Sequence, residues 1–419
     1  MRVLDVVLSP LNKAMPHESI LIITNGHPSR NPRPVKEASA LSAAGYEVTL
    51  LYVRNHPPSA PADASVLRDA TYRAVAIDLM SETLRGRLYS WYARSASKLA
   101  RQTIRFGHES PHALGPATQL LNAARRLPAA LTIVHNEAPH WAGLQLIQSG
   151  RRVAVDMEDW HSEDLLPQAR KERPLSLIRA TERQLFQSAA YVTTTSYAMG
   201  HALASRYGGQ TPIVITNSFP LHATLSRTPA SDSDPSLFWF SQTIGPGRGL
   251  EEFIRGWRQT TRSSRLVLLG QALPGYESLL RSQLPEPFQS RVTFRPLVEP
   301  NKLPSVIAEH AVGLALELSE PANKNLTISN KILQYLNAGL AVIASDTAGQ
   351  REVLERRPEA GTLIKLNDPR SIANAVDRLL NSPSILRQQQ RAARSLAEET
   401  YCWEKQVSTL LTLVEKALH

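Results

Sequence analysis

The sequence predicts an α/β protein of two domains, each a parallel sheet sandwiched between helices. Three observations lead there. Strand-sized apolar runs alternate with helix-spaced segments along nearly the whole chain. One stretch, "RTPASDSDPS" (Arg227–Ser236), breaks this rhythm midway with Pro, Ser and Asp. The length, 419 residues, exceeds the usual size of one domain and suits two.

The elements follow in order. "SILIITNG" leads to "PVKEASALSAAGY" and then to "EVTLLYVR". "ALTIVHNE" leads to "HWAGLQLIQSGRR" and then to "VAVDMED". "AAYVTTTS" precedes "YAMGHALASRYG", and "PIVITNS" follows it. Past the interruption the rhythm restarts at "LFWFSQ", runs through "RLVLLGQ", "RVTFRPL", "AVGLALEL" and "LAVIASD", and closes on "GTLIKL". The tail from Ser384 reads as helix with a break near Thr400–Trp403. The expected units are therefore residues 1–226, a linker 227–236, residues 237–399, and a closing helix 400–419 that packs back on the first domain. There is no repeat at a fixed short period and no low-complexity tract.

The totals exclude several classes. Hydrophobic residues make up 42%, ordinary for a globular core. No apolar run approaches the roughly 18 residues that cross a bilayer. The first residues lack an apolar stretch followed by a small-residue cleavage site, so export is not expected. The single cysteine, Cys402, excludes an internal disulfide and suits a reducing cytosol. The net charge of +10 points to an anionic partner: nucleic acid, a phosphorylated small molecule or an anionic membrane surface. From Arg85 to Arg105 the chain carries six basic residues and no acidic one. Leu84, Leu88, Trp91, Tyr92 and Leu99 recur among them at near-helical spacing, as in a helix that lies on anionic lipid.

In open α/β sheets ligands bind beyond the carboxyl ends of the strands, so the turns there hold the candidates. In "FWFSQTIGPGRGLEEFIRGW" a strand ends at Ser241-Gln242, and Gly245, Gly247, Arg248 and Gly249 precede a helix. Glycines let backbone approach a phosphate, and the Arg248 guanidinium can fork onto its oxygens. This is not the dinucleotide fingerprint, because the third glycine comes one residue early. The next strand also ends in Gly270-Gln271, where a ribose-binding acid would stand. In "SNKILQYLNAGLAVIASD", Ser329, Asn330, Lys331 and Gln334 occupy the start of a helix, with Lys331 and Gln334 on one face and Leu333 turned away. Such a start can hold a phosphate beside the lysine. "TNGHPSRNPRPVKEA" places Asn25 and Gly26 after the first strand, and Arg30 and Arg33 before a helix expected at Val35. His27 there reads as a solvated loop residue. "VDMEDWHSEDLL" packs Asp156, Glu158, Asp159, His161, Glu163 and Asp164 into nine positions. A metal site, a general base with its orienting partner, and a solvated helix-capping loop all fit that density. His135, after a neighbouring strand, can join the same site. Asp232–Asp234 has the look of a metal-diphosphate motif but falls in the linker.

With these turns in hand, the chain resembles a retaining, nucleotide-sugar-dependent GT-B glycosyltransferase of family 4 over almost its full length. "NPRPVKEASALSAAGYEVTLL" is similar to that family's first helix and second strand. "SQTIGPGRGLEEFI" is similar to its glycine turn, and "SNKILQYLNAGLAVIASD" to its donor-binding helix and strand. "YCWEKQVSTLLTLVEK" is similar to its closing helix. The resemblance implies two Rossmann-like doubly wound domains facing a cleft. It implies transfer of a glycosyl group from a nucleoside diphosphate sugar with retention, without metal or other cofactor. Gly245, Gly247, Arg248, Gly249, Ser329, Asn330, Lys331 and Gln334 would bind the donor. Asn25, Gly26, Arg33 and His135 would face the acceptor, and Glu158, Asp159 and His161 would serve catalysis. The acceptor would be a glycan or a lipid-linked glycan, and the protein cytoplasmic, at the inner face of the plasma membrane in cell-surface polysaccharide synthesis. Two departures stand out. Gln334 replaces the usual ribose-gripping Glu, and Leu326 occupies the place of the second Glu eight residues earlier, the nearest acid being Glu320. Some members also have Asp-x-His-Glu where this chain reads Asp156-Met157-Glu158-Asp159. A nucleotide-sugar epimerase of the same fold, a degenerate non-catalytic subunit and a nucleic-acid binder are the competing readings. No nucleic-acid-binding module supports the last.

Overall fold

The computed structural model describes residues 18–221 and 235–419. The first residues, most of the expected linker and Asp232–Asp234 lie outside the described residues. In the first domain the strands are β1 (Ser19–Ile23), β2 (Glu47–Arg54), β3 (Arg73–Asp78), β4 (Leu131–His135), β5 (Val153–Met157), β6 (Val192–Thr194) and β7 (Ile213–Val214). They form a parallel sheet in the order β3-β2-β1-β4-β5-β6-β7. Ile22 of β1 lies opposite Leu50 on one side and Ile133 on the other. Such runs of Ile, Leu and Val are what a strand covered on both faces requires.

The second domain repeats the plan with β8 (Ser236–Ile244), β9 (Arg265–Ala272), β10 (Val292–Arg295), β11 (Val312–Ala315), β12 (Ala341–Ser345) and β13 (Gly361–Ile364). Its order is β10-β9-β8-β11-β12-β13, again parallel. Trp239, Phe253 and Trp257 fill its core. Strand order reverses between β1 and β4 in the first sheet and between β8 and β11 in the second. Each reversal opens a crevice at the carboxyl ends of the strands, where ligands seat in such sheets.

The helix Pro383–Glu399 belongs to the second domain, and after Thr400 the chain returns. The helix Trp403–Leu418 buries Trp403, Leu410, Leu413 and Val414 against Ile20, Ile22, Leu50 and Ile133 of the first sheet. Phe219 and Cys402, one on each passage between domains, form a parallel bridge, and the Trp403 N–H donates to the Phe219 carbonyl at 3.0 Å. The domains also touch elsewhere. The Ser196 hydroxyl donates to the Leu326 carbonyl at 2.6 Å, and Glu352 accepts from the Tyr197 and Ala198 N–H groups at 3.0 and 2.9 Å.

Candidate active site

On the second-domain side, β8 runs to Ile244, slightly past the end expected at Ser241-Gln242. Gly245 to Gly249 then turn into the helix Leu250–Trp257. Gly247 and Gly249 hold φ of 72° and 75°, the left-handed region where a side chain is strained. A Cβ on Gly249 would stand 3.0 Å from the Leu316 Cβ. Lys324, on the short helix Ala322–Leu326, reaches the Gly247 carbonyl at 3.4 Å, and half-buried Arg248 lies in the same turn.

The helix Asn330–Ala338 begins at Ser329, whose hydroxyl accepts from the Ile332 N–H at 3.4 Å, and ends on Gly339 at φ 69°. Ile332, Leu333, Tyr335 and Leu336 are buried, which leaves Lys331 and Gln334 together on the open face. The Lys331 ammonium donates to Glu317 at 2.7 Å. The lysine of this helix start therefore has a resting carboxylate partner. Glu317 follows β11, so Glu317, Lys331 and the glycine turn all belong to the β8–β11 crevice.

The first-domain side departs further from expectation. Arg33 sits in the first turn of the helix Pro32–Ala43, not on a loop before Val35, and is fully buried. Its Nε and one terminal nitrogen donate to the two Asp156 carboxylate oxygens at 2.7 and 2.6 Å. His135 is fully buried too, its ring nitrogens 3.0 Å from Glu37 and 3.1 Å from Asp156. Burial works against its charge, but the two carboxylates prevail and raise His135 to about 10. Burial likewise opposes ionisation of Asp156, yet Arg33 and His135 hold it well below the usual carboxylate range. Two cations and two anions thus neutralise one another inside the sheet. The Glu37, His135 and Asp156 ligand atoms lie within 4.8 Å of one another, but Arg33 already occupies Asp156, a donor set that does not fit a divalent cation. Neither Arg33 nor His135 presents surface to an acceptor.

His27 is likewise buried rather than solvated. Its Nδ1 meets Asp63 at 2.5 Å, and its Nε2 accepts from the Asn55 and His56 N–H groups at 3.0 and 2.9 Å. Asn136, just past β4, is the one non-glycine residue with positive φ among the described residues, at 70°. Its Oδ1 accepts from Thr24 Oγ1, the Asn25 N–H and Asn31 Nδ2 at 2.9, 3.3 and 3.2 Å. The Asn25 Oδ1 is buried with no partner in the β1–β4 crevice, beside Gly26.

The acidic turn after β5 divides. Glu158 is half-buried, and burial pushes its carboxyl up to about 7, with Asp159 and Asp156 adding to the rise against Arg33. Asn217, beyond β7, donates from one Nδ2 to Glu158 at 3.0 Å and to the Asn330 side-chain oxygen at 3.1 Å. The Lys36 ammonium holds the other end of that amide at 3.2 Å. One amide therefore joins the acidic turn to the helix start of the opposite domain. Asp159 accepts from Asn323 at 2.7 Å, another bond between domains. His161 is buried against the His140 ring, centroids 5.3 Å apart. Burial opposes its charge, but the Asp164 contact leads the groups that raise it to about 9. The shift favours the protonated ring at neutral pH, which suits a donor more than a base.

Comparison with known proteins bears on the fold. Residues 234–382 match the model of the glycosyl transferases group 1 family. The matched stretch contains the glycine turn, Glu317 and the Ser329 helix start. Comparison with curated protein sequences finds no match. Among solved structures, HepE of Anabaena in complex with UDP and glucose superposes with a TM-score of 0.68 at 16% identity, covering 96% of this chain and 99% of that one. Sucrose-phosphate synthase of Thermosynechococcus elongatus gives 0.69 at 16%, over 95% and 98%. WaaG, a glycosyltransferase involved in lipopolysaccharide biosynthesis, gives 0.60 at 13%, over 94% and 99%. The fold is GT-B, two Rossmann-like domains around a cleft, as the family resemblance implies, and the two parallel-sheet domains are those the alternation of strands and helices predicts.

Asn217, Glu317 and Lys324 join the site without having been singled out from the sequence. Asn217 and Glu317 each follow a strand, and that position is the signal that could have found them.

Proposed function

We propose that the protein is a glycosyltransferase that moves a sugar from a nucleoside diphosphate sugar to a glycan or lipid-linked acceptor with retention. The observation that carries this reading is the convergence of the glycine turn, Arg248, Lys324 and Lys331 on the β8–β11 crevice of the group 1 domain. These cations and the helix start at Asn330 would receive the diphosphate as it leaves, without a metal ion. Each preorganised donor aimed at developing charge is typically worth ~3 kcal/mol in the transition state. To reach the diphosphate Lys331 exchanges Glu317 for a phosphate oxygen. Gln334 holds the ribose through neutral contacts, weaker than a carboxylate's by ~1 kcal/mol, and Glu317 supplies the carboxylate that position 334 lacks.

Glu158 is the catalytic group of choice, near Asn330 through Asn217 and poised by its environment between acid and base. Asp159 positions the turn, and His161 supports it from within the first domain. Asn25 Oδ1, a buried acceptor without a partner, is matched by an acceptor hydroxyl, since leaving such an atom unpaired costs ~1–3 kcal/mol. The reading includes a cytoplasmic protein at the inner face of the plasma membrane, acting in cell-surface polysaccharide synthesis. What supports the membrane contact is the helix Leu84–Thr103, with its exposed Leu84, Leu88 and Trp91 and its cations. No helix among the described residues is long and apolar enough to cross a membrane.

The test is thermal unfolding with UDP, GDP, ADP, dTDP and NAD in parallel. At a hundred times its Kd a ligand adds about 2.7 kcal/mol, a rise of roughly 2 °C or more for a chain this size. A rise with one nucleoside diphosphate, lost in Arg248→Ala with Lys331→Ala, is the expected result. No rise with any of them removes the transferase reading. A rise without turnover of the matching sugar nucleotide in any acceptor mixture leaves the non-catalytic subunit that Gln334 and Leu326 suggest.

A further inference from the structure

The first domain contains a groove of about 750 Å³ that the donor chemistry leaves unused. Arg94, Lys98, Arg101, Arg105 and Lys171 line it, against the single carboxylate of Glu172. Among the described residues none of the five cations is ion-paired. Arg94 and Arg101 are anchored instead through backbone, to the Leu79 carbonyl at 2.9 Å and the Ala113 carbonyl at 3.3 Å. Each keeps further N–H groups for a ligand.

Helix geometry explains how the groove forms. At about 100° per residue, Ser90, Ala93 and Ala100 share one face of the helix Leu84–Thr103. These small side chains let the helix lie close against Pro111–Leu114. Arg94, Lys98 and Arg101 fall on the next face, about 90° round, and wall the groove. A further quarter turn brings Leu84, Leu88, Trp91 and Leu99, which are 75, 59, 68 and 63% exposed. Asn55, just past the carboxyl end of β2, closes the groove on the edge of the sheet that also carries Asn25 and Asn136. The cationic groove therefore reaches the carboxyl-end edge of the first sheet and runs beside an exposed apolar stripe.

We propose that this groove binds the phosphate of the acceptor, and that the acceptor is a phosphate-bearing amphiphile whose hydrocarbon lies along the apolar stripe. The proposal rests on the transferase reading and names its acceptor class. Anionic chemistry is demanded by five cations facing one acid, and phosphate suits the planar fork of two arginines. The volume exceeds what a phosphate fills and falls in the range of small-molecule sites.

The test is binding of farnesyl diphosphate and of inorganic pyrophosphate to the full chain held in excess UDP, read by calorimetry and by tryptophan fluorescence. Farnesyl diphosphate is expected to bind at least tenfold more tightly than pyrophosphate. Its affinity is expected to fall at least tenfold in Arg94→Glu with Lys98→Glu, while the thermal rise with UDP is unchanged. Lys98→Gln with Arg105→Gln, which removes no backbone hydrogen bond, is expected to weaken binding in the same direction. Equal affinity for the two probes overturns the amphiphile, and affinity unmoved in both double variants overturns the groove. A lost UDP response in the unsubstituted chain would instead strike the transferase reading itself.

Discussion

Replacing Asp156 by asparagine tests the buried charge network on which the acidic turn stands. The carboxylate accepts from Arg33 at 2.7 and 2.6 Å and from Thr193 Oγ1 at 2.6 Å, and faces His135 at 3.1 Å. Asparagine keeps the shape and removes the charge. Arg33 and a protonated His135 are then left to share Glu37, at 3.6 and 3.0 Å. An uncompensated charge in such a place costs about 3–5 kcal/mol. At ~2–4 °C per kcal/mol for a domain of this size, the first domain should melt roughly 10 °C lower. The pH dependence adds a second reading. His135 is raised from 6.5 to about 10, so its contribution is complete below pH 6.5 and is lost as pH rises toward 10. Asp156 is lowered from 3.8, so its contribution is complete above that pH and is lost in acid. In Asp156→Asn the histidine retains only Glu37, and the alkaline loss of stability should shrink. Calorimetric melting at pH 7 and pH 9.5 measures both. A variant that melts within about 2 °C of the unsubstituted protein, with the same alkaline slope, refutes the network as described.

Further outcomes follow from the same geometry. Glu158 is raised from 4.5 to about 7, so it favours the folded state below pH 4.5 and loses that contribution as pH rises to 7. Glu158→Gln should gain stability relative to the unsubstituted protein between pH 5 and pH 8 in urea titrations, and sugar transfer should lose an inflection near pH 7 along with ~10²-fold or more of its rate. Gly249→Ala forces a side chain into φ 75° against Leu316 and should lower stability by ~1–3 kcal/mol while weakening UDP binding. An unchanged UDP Kd would separate the turn from the donor. Leu410→Ala removes a buried anchor of the last helix and should lower the unfolding free energy from denaturant titration by ~2–5 kcal/mol; no change would show that the helix does not support the first domain.

Local signals in the sequence carry the architecture well. The apolar runs, the glycine turn, and the Ser329 cap with its Gly339 stop depend on residues a few positions apart, and they stand where spacing puts them. The basic aromatic stretch is likewise a continuous helix, Leu84–Thr103. What escapes is chemistry made by distant partners. Arg33 meets Asp156 across 123 positions, and His27 meets Asp63 across 36, so residues that look like loop polarity become interior ion pairs. Lys331 reads as a free cation until Glu317 is brought beside it by the pairing of β11 with β12. Asn217 carries no motif at all. Its meaning comes from the closing of two sheets on one another, which brings Asn330 and Glu158 to the same amide.

The pairing of Phe219 with Cys402 gives the molecule a spine. Phe219, near where the chain leaves the first domain, and Cys402, where it comes back, lie side by side there, as two pages share one binding. A rigid swing about that line displaces each atom in proportion to its distance from it. Asn217, two residues from Phe219 in the chain, ties Glu158 to Asn330, so a swing about that line would load this amide less the closer it lies to the bridge.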